Sequence, residues 1–214
     1  VSALSDIKTH IDDHASLLIL QNGMAGKAIT AILPTQQLIT GITTDGAYRT
    51  DELSVVHAGI GETLIGDAPI LKKLPLNHLT IKFCEDIHTK QWQKLAINCA
   101  INGLTAIYQC RNGELLDNKE AISRIQLLCD EITAVMQALD IETQDSIFEK
   151  TLHTLTITAD NYSSMYQDCQ QKKSTEIDFI NGYLCTEAKR LTISCKENQR
   201  VLAAIKQIEQ SYAQ

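Results

Sequence analysis

The sequence predicts a two-part fold, with an α/β part over residues 1–85 followed by an all-α part over residues 86–214. Short apolar runs bounded by glycine, asparagine and proline fill the first part, as expected of strands. From Asp86 onward the apolar spacing is helical throughout, and no proline follows Pro75. This change of period near residue 85 indicates a boundary between two kinds of structure.

The elements of the first part are predicted in chain order. A helix covers about residues 2–15, and the strand that follows at 16–21 is apolar on both faces, which is typical of a strand buried on both sides. Asn22-Gly23 ends that strand. Further strands are predicted at about 37–44, 53–57, 62–66 and 79–84. Gly59 and Gly61 suit a hairpin turn between the strands at 53–57 and 62–66.

The second part is predicted to contain only helices. They cover about residues 86–101, 104–109, 117–139, 143–161, 175–190 and 197–213. The chain itself opens with Val1 inside an uncapped helical pattern. We therefore expect these residues to begin in the middle of a larger fold.

Composition argues against several classes of function. The 214 residues are 44% hydrophobic, which is enough for a sizeable core. A net charge of −7, with no basic cluster and 5% aromatics, argues against nucleic-acid binding. No apolar stretch approaches the roughly 20 residues of a membrane span. Seven scattered cysteines without a CxxC motif indicate free thiols. Free thiols are typical of a reducing compartment, so we expect a cytoplasmic location.

A polar stripe on the helix after Asp86 is the first candidate site. Lys94, Asn98 and Asn102 are spaced i, i+4 and i+8, so they share one face among apolar neighbours. Asparagine is a poor helix former, which favours a specific role for the two amides. Two interpretations stay open at this point: the wall of a polar pocket, and a plain exposed stripe, which is the more frequent case.

A second candidate is the polar segment 161–168, which includes Ser163 and Ser164, together with 174–178. A structural interpretation competes with a functional one for both pieces. The serines suit a simple turn. Thr175 and Asp178 have the spacing of a capping box, which would put Glu176 in the first helical turn, where the helix dipole stabilises an acid.

Two further patterns, a histidine pair and a glycine pair, do not predict a functional site. His10 and His14 are spaced i, i+4, but no third ligand is evident, so we predict an exposed pair and no metal. Gly59 and Gly61 fit neither GxGxxG nor a P-loop in spacing.

Six strings of the sequence together resemble ketopantoate reductases (2-dehydropantoate 2-reductases). Their order and gaps fit the family along nearly the whole chain. They are LILQNGMAG at 18–26, ITTDGAYR at 42–49, GIGETLIG at 59–66, WQKLAINCAINGLTAIYQCRNGEL at 92–115, NYSSMYQD at 161–168 and TEIDFINGYL at 175–184.

The resemblance implies a Rossmann-type domain whose C-terminal part is residues 1–85, followed by an all-helical substrate domain at 86–214. It implies NADPH-dependent reduction of 2-dehydropantoate to pantoate, on the route to pantothenate and coenzyme A. By motif position Lys94 resembles the general acid of the family, and Asn161 supports the site. The other matching positions contact substrate (Asn22, Asn98, Asn102, Asn112 and Ser164) or cofactor (Asn22, Ala47 and Glu176).

The chain departs from the family pattern in one major respect. The GxGxxG turn that cradles the pyrophosphate is absent from these residues, as is the basic residue expected at the 2′-phosphate. Gly103 also stands where the family usually has proline. We expect an N-terminally incomplete member, inactive as these residues alone.

Three functions stay open from the sequence. The first is the reductase, which acts on a small 2-oxo acid substrate. A homodimer is one alternative for its oligomeric state. The second is a truncated, non-catalytic helical protein for dimerisation or metabolite binding. The third is a related 2-oxo acid reductase with another substrate.

Overall fold

The computed structural model describes residues 2–49, 51, 53–59, 61–73 and 80–213. The chain divides into two compact units, Val1–Gln91 and Trp92–Gln214. The first contains a mixed sheet with helices and the second only helices, so the predicted order of an α/β part and a helical part is confirmed. No helix among the described residues is long and apolar enough to cross a membrane.

The first unit contains short helices and six strands in its described residues. They are α1 (Ser2–Ile7), β1 (Ser16–Ile19), α2 (Gly26–Ile32), β2 (Gln37–Thr43), β3 (Gly46–Arg49), β4 (Val55–Gly59), β5 (Thr63–Ile65) and β6 (Ile81–Phe83). The sequence did not predict α2 or β3, and the first helix is shorter than predicted, with a single 3₁₀ turn at Lys8–His10 after it.

Four strands form a mixed sheet in the order β1-β2-β5-β6. β1 pairs parallel with β2, β2 antiparallel with β5, and β5 parallel with β6. Ile39, Ile65 and Ala68 form its buried centre. The parallel pair β1–β2 needs a crossover, and α2 supplies it, as in a βαβ unit.

β1 is less buried than its sequence predicts. The strand lies at the end of the described sheet order, and its residues Ser16–Ile19 are all half-buried. Burial of this strand on both faces is therefore not observed among the described residues.

The predicted hairpin between residues 53–57 and 62–66 is also wrong. β4 pairs with β3 in a separate two-stranded sheet, whereas β5 lies between β2 and β6. Gly61 is needed for close approach, since a Cβ there would lie 2.3 Å from the carbonyl carbon of Thr44. Its N–H donates to Asp45 Oδ1 at 3.0 Å, and that oxygen also accepts from His57 Nε2 at 3.0 Å.

The second unit is built from six helices in its described residues. They are α3 (Ile87–Tyr108, which begins in the first unit), α4 (Lys119–Ala138), α5 (Ile147–Ile157), α6 (Ser164–Gln170), α7 (Asn181–Arg190) and α8 (Lys196–Gln210). The positions of α4 and α8 follow the prediction closely. α6 lies in a segment that the sequence analysis interpreted as a turn.

Several helix starts are fixed by side chains that accept backbone N–H groups. Asn118 caps α4 by accepting from Ala121 at 3.1 Å. The start of α8 is capped by Glu131 of α4, whose carboxylate accepts from the N–H groups of Glu197 and Asn198 at 2.8 and 3.0 Å. Glu131 therefore links two helices as well as satisfying the donors of one.

α3 is continuous through Gly103, where the sequence predicted a break. The reason is tertiary contact: a Cβ at Gly103 would lie 2.3 Å from Cγ1 of Val201 on α8. Both residues are buried. A glycine that weakens the helix locally therefore lets α8 approach it closely.

Gly103→Ala should lower the free energy of unfolding by about 1–3 kcal/mol, since the added methyl group overpacks this contact. The matched control is Gly182→Ala, near the start of α7, where a Cβ would make no contact shorter than 3.4 Å. Chemical denaturation of both variants measures the difference. Adding Val201→Ala should recover part of the loss, and strictly additive effects would contradict the proposed contact.

Candidate functional site

The polar stripe of α3 is not a solvated face. Lys94 and Asn98 are half-buried, and Asn102 is only 9% exposed. The three residues lie on one side of the helix over about 12 Å, from a rise of about 1.5 Å per residue. Trp92, Leu95 and Cys99 on the same helix are buried in the core. Of the two interpretations, the structure therefore favours polar groups placed in a partly desolvated environment.

Lys94 and Glu176 interact electrostatically across the second unit. Burial lowers the pKa of Lys94 below its ordinary value of 10.5, and the Glu176 carboxylate partly opposes this by raising it. Both side chains are half-buried, so their interaction is screened less than at an open surface. The arrangement gives a cation that a neighbouring anion keeps charged while burial makes it more acidic.

The segment that carries Glu176 is held from α8. The N–H and hydroxyl groups of Thr175 both donate to Glu209 Oε1, at 2.6 and 2.8 Å. Lys206 donates to Glu209 Oε2 at 3.1 Å and to Asp178 Oδ2 at 2.5 Å. Lys206 and Glu209, about one turn apart on α8, therefore fix the chain on both sides of Glu176.

These contacts contradict the predicted capping box. In such a box Asp178 would accept the N–H of Thr175, but that N–H is bound by Glu209 and Asp178 pairs with Lys206. A 3₁₀ turn at Ile177–Phe179 follows, and the carboxylate of Glu176 makes no capping hydrogen bond there. The reciprocal capping box therefore does not form, although Thr175 Oγ1 accepts the N–H of Ile177 at 3.2 Å.

Ser163 and Ser164 have different environments at the start of α6. Ser163 is the N-cap, 7% exposed, and accepts the N–H of Tyr166 at 3.0 Å. Its Oγ also lies 2.7 Å from Oγ1 of Thr105, which donates to the carbonyl oxygen of Asn102 at 2.9 Å. Ser164 is the first helical residue and is exposed. The structure thus connects the start of α6 to the end of the polar stripe.

Asn112 and Asn161 belong to one packed corner. Asn112 is 8% exposed, and its Nδ2 donates to Thr158 Oγ1 at 2.8 Å. Its backbone N–H donates to the carbonyl oxygen of Asn161 at 3.0 Å. The Oδ1 atom of Asn112 is buried and has no hydrogen-bond partner among the residues that the structure describes. In this structure Asn112 therefore secures the chain that leads into Ser163.

The remaining candidates, Asn22 and Ala47, lie in the first unit. Asn22 is half-buried in the turn after β1, and Gly23 beside it has a φ of 72°. Ala47 is exposed on β3, where it pairs with His57 of β4. Ligands of parallel α/β sheets bind outside the carboxyl ends of strands, which is where Asn22 lies.

Two positions of this neighbourhood were missed as participants by sequence reasoning. Thr105 sits among apolar residues of α3, and Ser163 was interpreted as part of a turn. The polar residue within an apolar stretch was the one available signal for Thr105. His10 and His14 are both exposed, as predicted. No group of three or more potential metal ligands occurs among the described residues.

A surface pocket of about 400 Å³ lies elsewhere in the second unit, between the end of α4 and the start of α5. Its lining includes Met136, Asp140 and Ile147, and none of the candidate residues. The chemistry predicted from the sequence therefore does not coincide with this pocket.

Comparison with known proteins agrees with this organisation. The family model described as Ketopantoate reductase PanE/ApbA matches residues 1–69, and the model of its C terminal matches residues 86–209. The 2-dehydropantoate 2-reductase of Vibrio cholerae serotype O1 is 35% identical, over 99% of this chain and 75% of the relative.

Solved structures give the same fold. A PanE/ApbA family ketopantoate reductase from Ralstonia eutropha JMP134 superposes with a TM-score of 0.90 at 24% identity, covering 100% of this chain and 73% of that one. D-mandelate dehydrogenase, solved with NADH and anilino(oxo)acetate, gives a TM-score of 0.87 at 23% identity, with 100% and 74% covered. The Rossmann-type fold class is confirmed. The chain belongs to the ketopantoate reductase family.

Proposed function

We propose that the natural protein containing these residues reduces 2-dehydropantoate to pantoate with NADPH, on the route to pantothenate and coenzyme A. The observation that carries the proposal is the half-buried Lys94 within the influence of Glu176, on a helix whose same face bears Asn98 and Asn102. The family supplies the substrate class, and the geometry supplies groups suited to it. Bound NADPH provides the hydride.

Lys94 is the proposed general acid. As the C2 carbonyl is reduced, negative charge develops on its oxygen, and an ammonium group can stabilise that charge and donate the proton. Burial makes Lys94 a better acid, and Glu176 keeps it protonated. These opposing influences suit a group that must be charged before the step and release a proton during it.

Neutral polar groups are proposed to bind the 2-oxo acid. Asn98, Asn102 and Ser164 offer amide and hydroxyl donors that suit the substrate carboxylate and hydroxyl without competing with the charge of Lys94. Asn112 is proposed to act on the same substrate, and its packing also supports the segment before Ser164.

Asn22 and Ala47 are proposed to contact the cofactor, and Glu176 is proposed to do so by its motif position. The β1–α2–β2 unit fits a dinucleotide, because its strands are parallel and Asn22 follows the carboxyl end of β1. The sequence of this chain contains no GxGxxG turn. We therefore propose that the 214 residues alone bind NADPH too weakly for turnover.

Two other functions remain candidates. The fold of D-mandelate dehydrogenase is shared, which favours a related 2-oxo acid reductase as the second candidate. A non-catalytic helical protein is the third, with nothing in the geometry that favours it. The cytoplasmic location and the homodimer stay predictions.

The natural protein should oxidise NADPH in the presence of 2-dehydropantoate, with a higher kcat/KM than for other 2-oxo acids or with NADH. Steady-state absorbance assays across a panel of 2-oxo acids measure this. A preference for an aryl 2-oxo acid would favour the second candidate, and absence of any turnover would favour the third.

Lys94→Ala should lower kcat by at least ~10²-fold, because the proton donor and the cation are both lost. Lys90→Ala is the matched control, since Lys90 is an exposed lysine one turn earlier on α3. Steady-state kinetics of both variants give the comparison. A Lys94→Ala variant that changes KM alone would contradict the assigned role.

The pH dependence of kcat should depend on Glu176. Reduction requires protonated Lys94, so kcat should fall as the pH rises through the pKa of Lys94, which burial holds below its ordinary value. Glu176→Gln removes the influence that raises this pKa, so the alkaline fall should move to lower pH at saturating NADPH. Glu142→Gln, an exposed site on the α4–α5 connection, should leave the profile unchanged. A shift to higher pH would refute the pairing.

A further inference from the structure

We propose that Thr105 and Ser163 are positioning residues that hold the substrate-binding Ser164 in register with Asn102. This inference rests on the function proposed above and adds two residues to it. Neither side chain is proposed to touch the substrate. Their role is to fix the distance between two elements that carry substrate ligands, the end of the polar stripe on α3 and the start of α6.

The hydrogen-bond chain between these elements has one consistent direction. Thr105 uses its only hydroxyl proton to donate to the carbonyl oxygen of Asn102 at 2.9 Å. The proton in the 2.7 Å contact between the two hydroxyls must then come from Ser163. The oxygen of Ser163 in turn accepts the N–H of Tyr166 at 3.0 Å. Each hydroxyl therefore donates once and accepts once.

Because both hydroxyl groups are buried, this chain of hydrogen bonds restricts the relative position of the two elements. Thr105 is 0% exposed and Ser163 is 7% exposed, so water is not a ready substitute partner for either hydroxyl. A buried hydroxyl without a partner is costly, so each hydroxyl favours the geometry that keeps both of its bonds. The two residues are 58 positions apart in the chain, and their contact therefore fixes tertiary geometry and not merely a local turn.

Ser164 directly follows this contact at the start of α6. The helix has only seven residues, and Ser163 is its N-cap. The chain before it is secured by backbone donation from Asn112 to Asn161 and from Gly113 to Ala159, both at 3.0 Å. Ser163 is thus the last fixed point before Ser164.

Thr105→Val tests the proposal, since it keeps the shape and removes the hydroxyl. The KM of the natural protein for 2-dehydropantoate should rise about tenfold or more, because a displaced Ser164 would lose a hydrogen bond to the charged substrate, worth about 1.5–3 kcal/mol. The dissociation constant of NADPH should not change. Thr105→Ser, which restores the hydroxyl, should return KM close to that of the wild type.

Thr151→Val is the control for loss of a buried threonine hydroxyl. Thr151 is 0% exposed on α5 and donates to the carbonyl oxygen of Ile147 at 2.8 Å, within its own helix. If Thr105 had a merely structural role, both variants would lower the melting temperature and leave the substrate KM unchanged. A rise in KM confined to Thr105→Val would therefore separate positioning from stability.

A double-mutant cycle with Ser163→Ala completes the test. Because the two hydroxyls act through one chain, the double variant should lose little more than either single variant. Unchanged KM in Thr105→Val, or independent effects of the two substitutions, would overturn this inference while leaving the activity of the wild type intact. A wild-type protein without turnover would instead overturn the proposed function, and the positioning role with it.

Discussion

The candidate site of the second unit depends on one physical constraint. The charged ammonium group of Lys94 lies half-buried on a helix that is otherwise largely buried. Removing a charge from water is costly unless an opposite charge is near, and Glu176 provides that charge for Lys94. The carboxylate is effective only if its own segment is fixed, and Glu209 fixes it through Thr175 at 2.6 and 2.8 Å. The end of α8 thus supports a charge interaction centred on α3.

The two faces of α3 have separate roles: one packs into the core, and the other carries the polar candidate residues. Trp92, Leu95 and Cys99 pack into the core, whereas Lys94 and Asn98 remain half-buried. Asn102 marks the point where the polar face meets the buried hydroxyls of Thr105 and Ser163. Partial desolvation strengthens the electrostatic influence that each polar group exerts on a bound anion or a developing oxyanion.

Periodicity was sufficient to predict the order of the two parts and the shared face of Lys94, Asn98 and Asn102, because both follow from local spacing. It failed where distant residues decide the structure. The predicted helices 86–101 and 104–109 are one helix, α3, and the close approach of Gly103 to Val201 within it is invisible in the local pattern. The capping box at Thr175 failed for the same reason, since Glu209 takes its N–H. The hairpin failed because β5 pairs with β2 and β6.

The central claim is that burial, opposed by Glu176, makes Lys94 more acidic than an ordinary lysine. NMR titration of the natural protein with isotope-labelled lysine, assigned through Lys94→Arg, measures this pKa directly in the absence of turnover. We expect a Lys94 pKa below the ordinary 10.5. A Lys94 pKa at or above 10.5 would contradict this expectation.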